Sequence, residues 1–243
     1  VTLVISDVVG NPLDGIASGP TVPDPTTFED ALEVLDRYEV RRRVPLTIVR
    51  HLTAGTEGRI ADVAENLPIF DRQVIEVVAD GRLATLAAAS AVEDLGLAPV
   101  VVTTELQGEA RDVARRLIRD SSELAHESVG IYAGETTVTV TGEGSGGRNQ
   151  ELALAASIEL AGRDDLILLA LDTDGIDGTG GVAGAFADGT AVERGRSHGL
   201  EATEFLKRND AHPFLDAIGD TVITGPTGTN VGDLVLLYRD SSG

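Results

Sequence analysis

Two runs in this chain bring together residue types that could do chemistry. The first is Gly142-Glu143-Gly144-Ser145-Gly146-Gly147-Arg148-Asn149-Gln150-Glu151. The second, about one helix and one strand later, is Asp172-Thr173-Asp174-Gly175-Ile176-Asp177-Gly178. The first reads as a glycine loop that ends in an arginine and opens a helix. Glycines let backbone approach an anion, and successive N–H groups at a helix start form a nest for it. Gly144, Ser145, Gly146, Gly147 and Asn149 are therefore candidate phosphate-binding positions. Arg148 adds a planar fork suited to phosphate or carboxylate, and its loop position predicts an exposed cleft residue. The competing reading is a plain flexible turn. Gly-Lys-Ser/Thr is missing, so this is no Walker loop, and the Gly142-x-Gly144-x-x-Gly147 match to a dinucleotide fingerprint is of a kind that chance produces.

The second run is an acidic turn at the end of an apolar strand, where α/β sheets host ligands. Asp172, Asp174 and Asp177 are candidate Mg²⁺ ligands, since that ion takes one or two carboxylates plus substrate oxygens. Against this, Asp-Gly pairs are ordinary turn formers. An EF-hand is excluded: counting from Asp172, the fifth position is Ile176 and the twelfth Ala183. Ser6-Asp7 also closes an apolar strand, which makes Asp7 a further candidate, with Ser18-Gly19-Pro20-Thr21 near the same cleft. His51, His126, His198 and His212 show no metal spacing, and no Gly-x-Ser-x-Gly elbow supports a serine nucleophile. Held anions and a held metal together point to phosphoryl transfer.

Alternating strands and helices must position these runs. Strands are expected at 1–5, Val74–Val78, Pro99–Thr103, Val129–Ala133, Val138–Val140, Leu166–Leu171, Thr221–Thr224 and Leu234–Leu237. Helices are expected after Thr26 or Thr27, and at Leu83–Leu95, Glu109–Leu124, Asn149–Ala161, 199–208 and 211–218. The continuously apolar Leu166–Leu171 predicts a strand covered on both faces. Residues 41–72, with breaks at Pro45 and Pro68, read as a hinge or domain boundary. The pattern is a layered α/β fold.

Composition narrows the function. The 243 residues carry 19 Lys and Arg against 40 Asp and Glu, a net charge of −21, which disfavours a nucleic-acid partner. No cysteine means no disulfide framework or thiolate metal site. No apolar run reaches membrane-spanning length and no signal pattern is present, so a cytoplasmic location is expected. A dispersed acidic surface with Lys207 as the single lysine predicts halophilic adaptation. The absence of methionine and the start inside an apolar run predict the C-terminal part of a longer protein. A homo-oligomer is compatible with all of this.

Six ordered segments resemble one family. They are Ile5-Ser6-Asp7-Val8, Ile16–Phe28, Gly134–Val140, Gly146-Gly147-Arg148-Asn149-Gln150-Glu151, Thr173-Asp174-Gly175-Ile176-Asp177-Gly178 and Thr224–Val231. Each is similar to the corresponding stretch of the bacterial and archaeal glycerate 2-kinases, once also labelled hydroxypyruvate reductases, whose C-terminal part is called the MOFRL domain. The resemblance implies transfer of the ATP γ-phosphoryl group to the 2-hydroxyl of D-glycerate, with Mg²⁺. It implies a Rossmann-like first domain, an α/β second domain and an active site between them. Residues 1–72 would then be the end of the first domain and 73–243 the MOFRL-type domain, with a catalytic lysine in a missing N-terminal part. Arg148, Asp174 and Asp7 carry over as catalytic candidates, with Asp174 either a Mg²⁺ ligand or the acceptor of the substrate proton. Gly181 stands where an acidic residue is expected, which brings Asp172 into play as a ligand. The alternatives are an NAD(P)-linked hydroxypyruvate reductase and a non-catalytic nucleotide-binding module.

Overall fold

The computed structural model describes residues 1–62, 68 and 70–241. The chain separates into two compact units: residues 1–3 with 12–76, and residues 4–11 with 77 onward. Residues 4–11, which include Asp7, thus group with the second unit, although the sequence reading places them in the first domain.

In the first unit, helix α1 (Phe28–Arg37) starts at Thr27. The Thr27 hydroxyl accepts from the Asp30 N–H at 3.2 Å and the Asp30 carboxylate accepts from the Thr27 N–H at 2.8 Å, a capping box. Thr26 is excluded as the cap because both its N–H and its hydroxyl are bound to Asp24. Helix α2 (Leu46–Thr56) lies within the stretch read as a boundary. Pro45 precedes it with φ −55°, so this proline begins a helix where the sequence reading takes it for a break. Phe28 packs on Gly55, where a Cβ would come within 2.1 Å of the ring, and meets His51 edge-on at 5.7 Å. Residues 63–67 and 69 of the stretch lie outside the described residues.

Strands β1 (Thr2–Ile5) and β2 (Ile75–Ala79) pair with each other. The second unit then runs α3 (Gly81–Asp94), β3 (Ala98–Glu109), α4 (Ala110–Asp120), β4 (Ser128–Thr137), α5 (Arg148–Leu160), β5 (Leu166–Asp172) and β6 (Gly184–Asp188). It continues with α6 (Ala191–Ser197), α7 (Ala202–Lys207), α8 (Ala211–Ile218), β7 (Thr221–Val222) and β8 (Asp233–Arg239). The sheet order is β3-β4-β8-β5-β6-β7. Strands β3 and β4 are parallel and the remaining pairs antiparallel.

The α/β layering expected from the sequence is present, with local differences. Strand β6 and helix α6 carry no sequence signal: Gly184-Ala-Phe-Ala-Asp188 has no β-branched residue, and its pairing to β5 supplies the strand. Residues 138–140 form no strand, because β4 runs to Thr137 and the chain then turns into the glycine loop.

The main core lies between one sheet face and helices α4 and α5, with Leu117, Leu152, Leu154, Leu168, Phe214 and Leu237 inside it. On the other face α3 covers Val129 and Ile131 through Val92. That cover stops short of β5, so Leu166, Leu168 and Ala170 are buried while Ile167 is 45% exposed. The expectation of a doubly covered β5 is corrected accordingly. Helix α5 is buried almost all round, from Asn149 through Ser157. A central helix of this kind can carry polar residues only where each finds a partner. Its first four residues are Arg-Asn-Gln-Glu, and they build the site.

Candidate active site

The sheet register creates an electrostatic problem that the first residue of α5 solves. Asp172, the last residue of β5, lies opposite Asp233, the first residue of β8. Both carboxylates are buried, at 6% and 2% exposure. Like charges side by side in a sheet repel, and burial strengthens the repulsion. Arg148 lies between them: Nε and Nη2 donate to Asp233 at 2.7 and 2.9 Å, and Nη2 also to Asp172 at 2.9 Å. Its Nη1 reaches Glu135 at 3.1 Å. Burial opposes the charge on Arg148, but the Asp233 carboxylate with Glu135 and Asp172 holds its pKa above the ordinary value. Arg148 is thus a half-buried, fully engaged cation, not the exposed free fork the sequence predicts.

The glycine loop is engaged with the protein in the same way. Asp177, 2% exposed, occupies the helix N-terminus where phosphate was expected. Its Oδ1 accepts from the Asn149 N–H at 3.0 Å and its Oδ2 from the Gln150 N–H at 2.8 Å, and both oxygens take side-chain amide donors as well. Burial pushes its carboxyl pKa up, against the lowering effect of the Asn149 and Gln150 donors. The Gly144 N–H donates to the Arg208 carbonyl, the Ser145 N–H to Asp210, and the Gly146 N–H to the Thr179 hydroxyl. These donors are spent on the protein itself. Gly147 has φ −141°, ordinary extended backbone; it must be glycine because a Cβ would come within 2.4 Å of the Asp177 carboxyl. The loop is a close-packed joint, and Asp177 is its capping acceptor, with both carboxylate oxygens engaged by the start of α5.

The other two residues of the helix start are equally committed. Gln150, fully buried, donates to the Asp177 carbonyl at 2.8 Å and pairs through Oε1 with His212 Nδ1 at 2.9 Å. Glu151 accepts from Arg111 Nε at 3.0 Å and from Asn209 Nδ2 at 2.9 Å. Asn209 in turn accepts from the N–H groups of Thr141 and Gly142 at 2.8 and 3.0 Å, which fixes the loop entrance.

Asp174 and Asp7 remain less committed. Asp174 is half-buried; its Oδ1 accepts from the Ile176 N–H at 2.7 Å, closing a local turn. Among the described residues no three His, Asp or Glu side chains converge as a metal cage. The loop before β8 sutures both aspartates. Thr227 N–H donates to the Asp174 carbonyl at 3.0 Å, Val231 N–H to the Thr173 hydroxyl at 2.9 Å, and Asn230 Nδ2 to Asp7 Oδ2 at 3.3 Å. Asp7 also lines a cleft of about 200 Å³ formed with Asn11, Arg82, Glu105, Gly134 and Val231. Ser18 to Thr21, which the sequence reading brings toward Asp7, belong to the first unit.

Known proteins resemble this chain. The MOFRL family model matches residues 128–233, and a domain of unknown function, DUF4147, matches residues 1–53. The glycerate 2-kinase of Pyrococcus horikoshii is 38% identical over 97% of this chain and 55% of its own length. A glycerate kinase of Macaca fascicularis is 33% identical over 98% of this chain and 72% of its own length. The chain belongs to the glycerate kinase family. The crystal structure of the Thermotoga maritima glycerate kinase superposes with a TM-score of 0.86, at 36% identity, over 98% of this chain and 56% of that one. The chain thus spans about 55% of the length of the curated microbial relative quoted above.

In this glycerate kinase family member, the residues that sequence reasoning missed are Asp233, Glu135 and Asn230. Asp233 and Asn230 had weak signals: a charged residue at the head of an apolar strand, and an Asn ending the Gly-Pro-Thr-Gly-Thr turn. Nothing in the sequence assigns Glu135 to Arg148.

One pH dependence follows. Burial, with Asp233 beside it, pushes the Asp172 carboxyl up to about 6, against the lowering effects of the Asp174 N–H and Arg148. A raised folded pKa means that the native state binds the proton more tightly than the unfolded chain. Stability is therefore lost as pH rises from about 4 through about 6, and the cost is complete above that. Asp172→Asn mimics the protonated acid. Between pH 4.5 and 8 in metal-free buffer, the stability of the variant relative to the parent should move by about 2 kcal/mol in favour of Asn. Denaturant titrations at the two pH values check this; a constant difference would remove the buried titration.

Proposed function

We propose that the protein containing this chain transfers the γ-phosphoryl group of ATP to the 2-hydroxyl of D-glycerate. What carries the reading is family membership together with a small cleft that holds Asp7 in a chain whose paired acids are otherwise engaged. The substrate hydroxyl meets Asp7, which accepts its proton. Arg148 acts through its neighbours: it fixes Asp172 and Asp233 at the sheet end, and Asp172 Oδ1 in turn accepts the Asp174 N–H at 3.1 Å. Asp174 is the residue that would hold Mg²⁺; one carboxylate that is not fully capped fits an ion arriving with a nucleotide better than an all-protein cage. Mg²⁺, when bound, neutralises charge on the transferring phosphoryl group. The Gly144, Ser145 and Gly146 amides of the glycine loop are used internally, and no step is assigned to the loop.

The same observation weighs against a dinucleotide-linked reductase. Its fingerprint needs a glycine loop directly after a strand with backbone free to meet a pyrophosphate. Here β4 ends at Thr137, and the Gly144, Ser145 and Gly146 amides are occupied. The test is an ADP-release assay with D-glycerate, ATP and Mg²⁺ alongside NAD(P)H oxidation with hydroxypyruvate. Oxidation without ADP release would overturn the proposal. Among the described residues no helix is long and apolar enough to cross a membrane, and we read the enzyme as cytoplasmic.

The acidic surface is read as adaptation to high salt. The 40 acidic residues repel one another against only 19 basic ones, and molar salt shortens the screening length to about 3 Å. The melting temperature should therefore rise with KCl into the molar range. A flat or falling curve would contradict the idea.

A further inference from the structure

The cleft beside Asp7 contains an arginine that the network around Arg148 does not use. Arg82 is the second residue of α3, a helix of 14 residues. A positive charge in the first helical turn has the wrong sign for the macrodipole, so local helix stability does not account for it. Among the described residues Arg82 makes no ion pair, although acids outnumber bases 40 to 19. In the same unit Arg111, Arg148, Arg163, Arg194 and Arg208 pair with acids, whereas Arg116 and Arg239, like the exposed Arg82, make no ion pair among the described residues. The N-cap Asp80 is committed: Oδ1 takes the Leu83 N–H at 2.7 Å and Oδ2 takes Asn11 Nδ2 at 2.7 Å. The first two amides of the helix, those of Gly81 and Arg82, have no acceptor among the described residues.

The opposite wall is also built around this space. The β3–β4 register shifts between Val101 and Thr103 and again between Thr103 and Leu106, which places Thr104 and Glu105 in an irregularity that lines the cleft. Such irregularities re-aim side chains next to active sites. Gly134, with φ +155°, faces the shift, and a Cβ there would come within 2.2 Å of the Leu106 carbonyl oxygen. Uncommitted backbone donors, an unpaired guanidinium and an aspartate thus share one small cleft.

Resting on the glycerate kinase reading above, we infer that Arg82 and the α3 N-terminus bind the carboxylate of the glycerate, while Asp7 meets its hydroxyl. A cleft of about 200 Å³ suits a three-carbon acid and is too small for a nucleotide. Asp7, Asp80 and Glu105 also line it, so a carboxylate is accommodated only on the Arg82 side, where the guanidinium offsets them. Arg82 is thereby a specificity-determining residue for an anionic substrate.

Steady-state kinetics on the protein containing this chain test this with D-glycerate and with its uncharged amide. Arg82→Gln should raise KM for glycerate about 10–100-fold, the worth of a charge-assisted contact, with KM for ATP and the melting temperature unchanged. Arg82→Lys should lie between, since an ammonium keeps the charge and loses the fork. The parent should prefer glycerate to the amide, and Arg82→Gln should erase that preference. An unchanged glycerate KM, a rise in the ATP KM instead, or equal losses for acid and amide would each overturn the assignment. Should the parent turn over neither substrate, the kinase reading fails on its own. Calorimetric titration of D-glycerate then decides Arg82 separately: binding lost in Arg82→Gln supports it, while equal binding or none overturns it.

Discussion

Arg148→Ala is expected to destabilise the second unit by about 3–5 kcal/mol and to remove most activity at the same time. Truncation leaves Asp172 and Asp233 buried, adjacent across the β5–β8 pair, and without their cation. Removing one partner of a buried ion pair costs about 3–5 kcal/mol because the remaining charge is uncompensated. Asp233→Ala should do similar damage from the other side, since Asp233 also accepts Asn149 Nδ2 at 2.8 Å and so ties the second residue of α5 as well. Arg148→Lys should fall between, as a point charge cannot serve Asp233 with two nitrogens while reaching Asp172 and Glu135. Denaturant unfolding measures the loss; parental stability in Arg148→Ala would sink the account. A neutral replacement separates stability from chemistry. Arg148→Met combined with Asp172→Asn and Asp233→Asn removes all three charges together, a change often tolerated in buried networks. It should recover most of the stability and little of the rate, because Asp174 and the sheet end would no longer be held by charge.

Arg148 also shows where sequence reasoning stopped. The Gly-Gly-Arg-Asn-Gln-Glu run was visible as a helix start, and its position before a buried helix was read to within one residue. Which protein groups the run meets is not legible in it, because local spacing cannot say which distant loop supplies an acceptor. Asp177 is 28 residues from Asn149 and Asp233 is 85 from Arg148, and only the folded register brings them there. A free nest and an occupied nest have the same sequence. The same holds for Asp233: its importance comes from facing Asp172, and β8 could not be placed beside β5 from hydropathy. Strand β5 itself was legible from Leu166 to Leu171, but its exposed face was not, since coverage depends on how far α3 extends over the sheet. Asp7 was read correctly as a strand-end residue, and Arg82 was passed over because a lone arginine in a helix carries no pattern.

The roles of Asp7 and Asp174 separate on one measurement, the dependence of rate on Mg²⁺. Asp7→Asn is expected to lower kcat by roughly 10²–10⁴, the usual scale for general acid–base catalysis, with the Mg²⁺ concentration for half activity unchanged. The amide keeps the Asn230 contact through its carbonyl oxygen, so stability should hold near the parental value. Asp174→Asn is expected to shift the Mg²⁺ requirement upward, with part of the rate restored at excess Mg²⁺. Its Oδ1 contact to the Ile176 N–H survives in the amide, so the turn persists and the lost property is the charge. The geometry favours this division because Asp7 lines the small cleft and Asp174 does not. Titrating Mg²⁺ on both purified variants, with a thermal melt alongside, decides it. If Asp174→Asn loses rate without a Mg²⁺ shift while Asp7→Asn shows the shift, the two roles are exchanged. If both keep parental kinetics, neither carboxylate touches the reaction.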